Sequence, residues 1–63
     1  MIVLGELLKM FPEHQLVSLA DKDGSGLPYG YRETVHNIGN NYADKKVLNM
    51  RICTDVLYIR LQV

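Results

Sequence analysis

The chain has 63 residues, which is enough for one small domain and too few for two. Its 7 Lys and Arg residues balance 7 Asp and Glu residues, and this zero net charge argues against a protein whose main partner is nucleic acid. Hydrophobic residues make up 48% of the chain, which predicts a folded protein and excludes a disordered tail.

The cysteine content and the N-terminus predict a compartment. Cys53 is the single cysteine of the chain, so no internal disulfide can form. A lone thiol is typical of a protein in the reducing cytoplasm, where we expect this protein to be. The apolar N-terminal stretch contains Glu6 and Lys9 and is far shorter than the ~20 apolar residues of a membrane span, so we expect no membrane association. Because a chain this short buries only about 60% of its unfolded surface, we expect self-association to support the fold.

Residues Ile2 to Met10 have the pattern of a short amphipathic helix. Its apolar residues recur at helical spacing and share one face: Leu4, Leu7, Leu8 and Phe11. Pro12 disfavours a helical conformation for the residue before it, so the helix is expected to end at Phe11. A helix this short is unstable alone and must pack on another element.

The segments HQLVSLA and LPYGYRETV are predicted to form a first hairpin around the loop Lys22 to Gly26. In the expected register, Leu19 faces Tyr29 and Val17 faces Tyr31. Apolar residues then meet on one face only, as a half-buried antiparallel pair requires.

The segment VLNMRICTDVLYIRLQV predicts a second hairpin with Thr54 and Asp55 at its turn. The expected apolar pairs are Ile52 with Leu57, Met50 with Ile59, and Leu48 with Leu61. The expected polar pairs on the other face are Arg51 with Tyr58 and Asn49 with Arg60. We expect the last strand, Val56 to Val63, to lie at a sheet edge. Arg60 is its only charged residue, so this edge is poorly protected and we expect it to pair with a second copy.

Together these elements predict an α+β fold in the order α-β-β-β-β. One short N-terminal helix packs on a small antiparallel sheet of two β-hairpins. The expected domain spans residues 1–63.

The run from Asp21 to Gly26 resembles the opening half of the calcium-binding loop of EF-hand proteins. Asp21, Asp23, Ser25 and Gly26 supply loop positions 1, 3, 5 and 6. Position 12 requires a bidentate Glu, whereas this chain has Arg32 there. The same residues also suit an ordinary turn, which is the favoured interpretation, and a calcium-binding loop remains the alternative.

Other chemistry is weakly indicated. His14, His36 and Cys53 lack the spacing of a zinc site, and no phosphate-binding loop, nucleophile elbow or metal-hydrolase motif is present. We therefore expect a protein that is not an enzyme and that uses no metal or cofactor.

Tyrosine and arginine carry the strongest indication of function, since both residue types are enriched at protein interfaces. The second hairpin places Arg51, Tyr58 and Arg60 on the face opposite the core, and with Tyr42 they are the candidate partner-binding residues. The simpler interpretation is a solvated sheet face. A further alternative is a weak single-stranded nucleic-acid binder, in which Lys45 and Lys46 join the two arginines.

The pattern LLKMFPEHQLVSLADKDG…PYGY…VLNMRI…VLYIRL resembles a loose group of very short proteins of Firmicutes and their phages. These share an N-terminal helix, a phrase of the type D-x-D-G-x-x-x-Y-x-G and two late strands. Asp21, Asp23, Gly24 and Gly30 match the phrase, whereas Pro28 and Tyr29 depart from its usual spacing. The resemblance implies a phage or mobile-element protein that binds a host protein, such as a CRISPR effector.

Overall fold

The computed structural model describes residues 2–63 and has an α+β fold, as predicted. In chain order the elements are α1 (Leu4–Leu8), β1 (Leu16–Ala20), β2 (Glu33–Thr34), α2 (Val35–Ile38), β3 (Lys46–Cys53) and β4 (Val56–Gln62). The four strands form one sheet in the order β2-β1-β4-β3. In residues 2–63, no helix has the length and apolar character needed to cross a bilayer.

The N-terminal helix is confirmed but is shorter than the predicted span. Val3 forms an antiparallel bridge with Lys46, and the Leu4 N–H donates to the carbonyl of Lys45 at 2.9 Å. These contacts hold the first residues extended, so the helix begins at Leu4. Its predicted apolar face is buried in the core through Leu4, Leu7 and Leu8.

The sheet is mixed, which corrects the prediction of a purely antiparallel sheet. β1 runs parallel to β4, from Leu16 opposite Val56 to Ala20 opposite Arg60, and antiparallel to β2. β4 therefore lies inside the sheet, and β3, not the last strand, lies at its edge. In this inner position β4 places Leu57, Ile59 and Leu61 at the centre of the core face, where all three are buried.

The register of the first hairpin was also predicted wrongly. β1 pairs with β2 through Leu16 opposite Thr34, and residues 21–32 form a long connection. Tyr29 and Tyr31 are 84% and 75% exposed and do not face the core. The Leu19 N–H instead donates to the Gly30 carbonyl at 2.6 Å. Tyr29 has a φ of 61°, so the backbone turns there and alternation is lost.

The second hairpin has the predicted register from its turn to Asn49. Ile52 lies opposite Leu57 and Met50 opposite Ile59, while Thr54 and Asp55 form the turn. The pairing then shifts, and Val47, not Leu48, lies opposite Leu61. Leu48 is the extra residue of a β-bulge, a feature that alternation alone does not reveal.

The two faces of the sheet have different surroundings. On the core face, α1 and the segment crossing from β2 to β3 cover the sheet, and this segment includes α2, which the sequence analysis did not predict. Its Ile38 is 1% exposed within the core. The opposite face, called here the open face, carries the other set of alternating residues of β1, β3 and β4.

Candidate functional site

The sheet brings three of the four candidate partner-binding residues together on the open face. The hairpin register sets Arg51 directly opposite Tyr58, and Asn49 opposite Arg60. Alternation then places Arg51, Tyr58 and Arg60 away from the buried residues of β4. The guanidinium carbon of Arg51 lies 5.5 Å from the centre of the Tyr58 ring, which is a cation–π distance.

A groove of about 500 Å³ runs across the open face. One side consists of β3 and β4, the floor includes β1, and the other side is the connection 21–32 with its exposed Tyr31. Its polar and aromatic lining residues are Ser18, Tyr31, Asn49, Arg51, Tyr58 and Arg60. Residues 21–32, which do not form the predicted first hairpin, are thus one wall of the groove.

Hydrogen bonds from backbone N–H groups to the Asp21 carboxylate fix the glycine-rich turn that closes the groove. Oδ1 of Asp21 accepts the N–H groups of Asp23 at 2.9 Å and of Ser25 at 3.0 Å. Gly24 has a φ of 91°, and a Cβ there would lie 3.4 Å from Nη2 of Arg60. The guanidinium of Arg60 therefore reaches across β1 to this turn, and the missing side chain makes room for it.

The two arginines of the groove have no carboxylate partner within the described residues. The ion pairs within 4.0 Å in residues 2–63 are Lys9 with Glu6, and His36 with Glu13. Both guanidinium groups are therefore free to pair with an external anion. Gln62 lies two positions after Arg60 on β4 and therefore shares its face. Lys46 lies opposite Gln62, so Lys46 adds a third cation to the open face.

Tyr42 lies apart from the other candidate residues. It is half-buried against the hydrophobic core, and its hydroxyl donates to the Pro28 carbonyl at 3.0 Å. Its φ is 61°, so it also helps the chain turn before β3. These contacts give Tyr42 a structural role.

Sequence reasoning missed Tyr31 as a wall of the groove, because the expected register placed it opposite Val17. Gly30 carries the information that could have identified it. A Cβ at Gly30 would lie 2.9 Å from the Cβ of Leu19, so this position requires a glycine where the connection meets β1. With the Gly30 backbone packed against Leu19, the side chains of its neighbours Tyr29 and Tyr31 are exposed.

The loop that resembles a calcium site is built as a turn. The EF-hand arrangement needs a helix after the loop to bring position 12 to the ion. Here residues 27–32 follow β1 without forming a helix, and Arg32 donates its backbone N–H to Oγ of Ser18 at 3.0 Å. In residues 2–63, no group of three or more His, Cys, Asp or Glu residues is placed to hold a metal ion. Cys53 is exposed at the end of β3.

Comparison with protein-family models, with curated proteins and with solved structures finds no match to this chain.

Proposed function

We propose that the chain is a small non-enzymatic interaction module that binds a protein partner through the groove of the open face. The carrying observation is the pair of free guanidinium groups, Arg51 and Arg60, on either side of Tyr58. Arginine and tyrosine dominate binding hot spots, since each combines a broad contact surface with hydrogen-bonding groups. Because the arginines have no internal carboxylate, we expect the partner to present acidic side chains.

The resemblance to short phage proteins extends this proposal. A phage or mobile element would use such a module in the host cytoplasm to inhibit a host protein, of which a CRISPR effector is one example. The groove is open to solvent along the sheet and is lined by both polar and apolar residues, which supports the docking of a protein segment. We also propose that the chain self-associates.

A capture experiment tests the groove. The tagged protein is compared with a variant in which Arg51, Tyr58 and Arg60 are all Ser. The matched control replaces Lys9, Lys22 and Tyr29 with Ser, since these two cations and one tyrosine are exposed and do not line the groove. We expect the partner identified by mass spectrometry to be captured by the wild type and the control and lost by the groove variant. Equal capture by the groove variant would show that another surface binds.

A single-stranded nucleic-acid binder is the second candidate. The observation that favours it is the position of Lys46 on the same face as Arg51 and Arg60, while the exposed Tyr31 lines the groove of that face. Basic residues and aromatic rings along one groove are the usual platform for single strands. Lys45, by contrast, is half-buried before β3 begins.

Titration with a fluorescent single-stranded oligonucleotide separates the two candidates. A nucleic-acid binder must lose affinity steeply with added salt, and replacing Lys46 with Ser must reduce the slope by about one. No binding at low salt would remove this candidate and leave the protein-binding proposal in place.

A further inference from the structure

Two tyrosines of the groove lie on either side of one strand. Tyr58 on β4 lies opposite Ser18 of β1. On the other side of β1 runs the connection that follows it, since the Leu19 N–H donates to the Gly30 carbonyl at 2.6 Å. Tyr31 extends from this connection and lines the same groove. β1 therefore separates the two tyrosines, and their backbones are roughly 10 Å apart, which is two strand spacings.

The floor between the two tyrosines is made of small side chains. Ser18 and Ala20 are the residues of β1 whose side chains face the groove, and both are too short to fill it. Aromatic rings pack favourably with their centres about 4.5–7 Å apart, so a gap of roughly 10 Å between Tyr31 and Tyr58 accepts one further ring. These two walls and two floor residues are called here the tyrosine slot.

Both walls of the tyrosine slot are held in place. Arg51 extends from β3 and stacks on Tyr58 at 5.5 Å, so the side of the ring toward β1 borders the slot. Tyr31 precedes Arg32, whose φ is 50° and whose N–H donates to Oγ of Ser18 at 3.0 Å. A non-glycine residue adopts this φ only at a cost, and such residues cluster where ligands bind. The connection thus presents Tyr31 at 75% exposure instead of burying it.

A cation lies at one end of the tyrosine slot. Arg60 follows Tyr58 by two positions on β4, so it shares the open face and lies about 7 Å farther along the strand. Its guanidinium has no carboxylate partner within residues 2–63. An extended peptide repeats its side chains on one face at the same interval. An aromatic side chain in the slot therefore brings the residue two positions away from it to Arg60.

We infer that the groove binds an extended partner segment in which an aromatic residue and an acidic residue are two positions apart. The aromatic ring lies between Tyr31 and Tyr58, and the carboxylate pairs with the guanidinium of Arg60. The inference rests on the protein-binding function proposed above and adds the chemistry of the partner. It requires the ring as well as the charge, whereas a purely electrostatic contact requires the charge alone.

Charge around the tyrosine slot favours a peptide over a single-stranded nucleic acid. A nucleic acid carries a negative charge on every nucleotide, and this chain has no net positive charge to offset it. Asp21 and Asp23 belong to the turn that packs against Arg60, so a continuous row of phosphates would meet two carboxylates beside the arginine. A peptide with one acidic residue at this point avoids that repulsion.

Titration of the isotope-labelled protein with short peptides, followed by NMR, tests the inference. The reference peptides have one tryptophan and one glutamate two positions apart, in either order, in a background of glycine and serine. Matched peptides have alanine for the tryptophan or glutamine for the glutamate. We expect the better reference peptide to shift the amide signals of Ser18, Tyr58 and Arg60. We expect it to bind about tenfold more tightly than either matched peptide.

Two variants of the protein assign each peptide group to its contact. Tyr31→Ala is expected to weaken the reference peptide by about fivefold and to leave the alanine peptide unchanged, because Tyr31 contacts only the ring. Arg60→Gln is expected to remove the preference for glutamate over glutamine. Tyr29→Ala is the matched control, on an 84% exposed tyrosine that does not line the groove, and is expected to bind as the wild type does. All three side chains are exposed, so we expect the variants to keep the dispersed spectrum of the folded protein.

The outcomes separate this inference from the proposed function. A reference peptide that binds no more tightly than the alanine peptide would overturn the inference, and the protein-binding function would stand if the groove variant still loses its captured partner. A groove variant that keeps its partner would contradict that function itself. A thymidine oligonucleotide that binds more tightly than the reference peptide at physiological salt would overturn the inference in favour of the nucleic-acid candidate.

Discussion

The two hairpins of this protein differ in how far their pairing can be derived from local sequence. β3 and β4 are joined by two residues, and alternation of apolar and polar side chains gives their register almost completely. β1 and β2 are joined by residues 21–32, and the same kind of alternation gives the wrong register. A short turn fixes which residues face each other, whereas a long connection leaves the choice to tertiary packing.

Gly30 is the position where that packing is tightest, and Gly30→Ala is expected to have the largest effect. A Cβ there would lie 2.9 Å from the Cβ of Leu19, so β1 and the connection must separate. We expect a loss of about 1–3 kcal/mol in the free energy of unfolding, measured by urea denaturation. Gly26→Ala is the matched control, because a Cβ at Gly26 meets no atom within 4 Å. Equal losses from both substitutions would show that the close approach at Gly30 is not limiting.

Asp21→Ala is expected to weaken the same connection by a smaller amount. The carboxylate accepts two backbone N–H groups, and in the variant water must replace it at both. We expect a loss of about 1 kcal/mol in the free energy of unfolding. Asp23→Ala, at an exposed side chain, is the control and is expected to change stability by less than about 0.5 kcal/mol. A control as costly as Asp21→Ala would contradict the assigned role of Asp21 in the turn.

Thr54→Gly is expected to stabilise the second hairpin slightly. Thr54 has a φ of 58°, a conformation that a β-branched residue adopts only with strain and that glycine adopts freely. We expect a gain of up to about 1 kcal/mol, seen as a higher thermal midpoint. At Thr34 the φ is −74° and Oγ1 accepts the Asn37 N–H, so Thr34→Gly is expected to lower the midpoint. A destabilised Thr54→Gly would show that the hydroxyl or the branched side chain supports the turn.

Local patterns predicted the fold class, the buried face of α1 and the pairing of Arg51 with Tyr58. Each of these depends on residues that are close in sequence, or on a hairpin with a short turn. Local patterns also predicted which three of the four candidate residues lie on one face. Arg51, Tyr58 and Arg60 share the open face, while Tyr42, chosen for its residue type alone, packs on the core.

The remaining features depend on contacts between distant residues. The parallel pairing of β1 with β4 joins Leu16 to Val56, and no local pattern encodes such a pair. The wall of the groove follows from the fit of Gly30 against Leu19. The prediction that β4 lies at the sheet edge is wrong, because the apolar residues of that strand are buried in the core between β1 and β3.

The parallel pairing of β1 with β4 also determines when the protein can fold. A growing chain on the ribosome that has not yet reached Val56 contains α1, β1, β2, α2 and β3, but it lacks the strand that carries Leu57, Ile59 and Leu61. Without those side chains the apolar face of α1 has little to pack against. We therefore expect the nascent chain to remain open to proteases and chaperones until β4 has emerged, and to fold afterwards in one step.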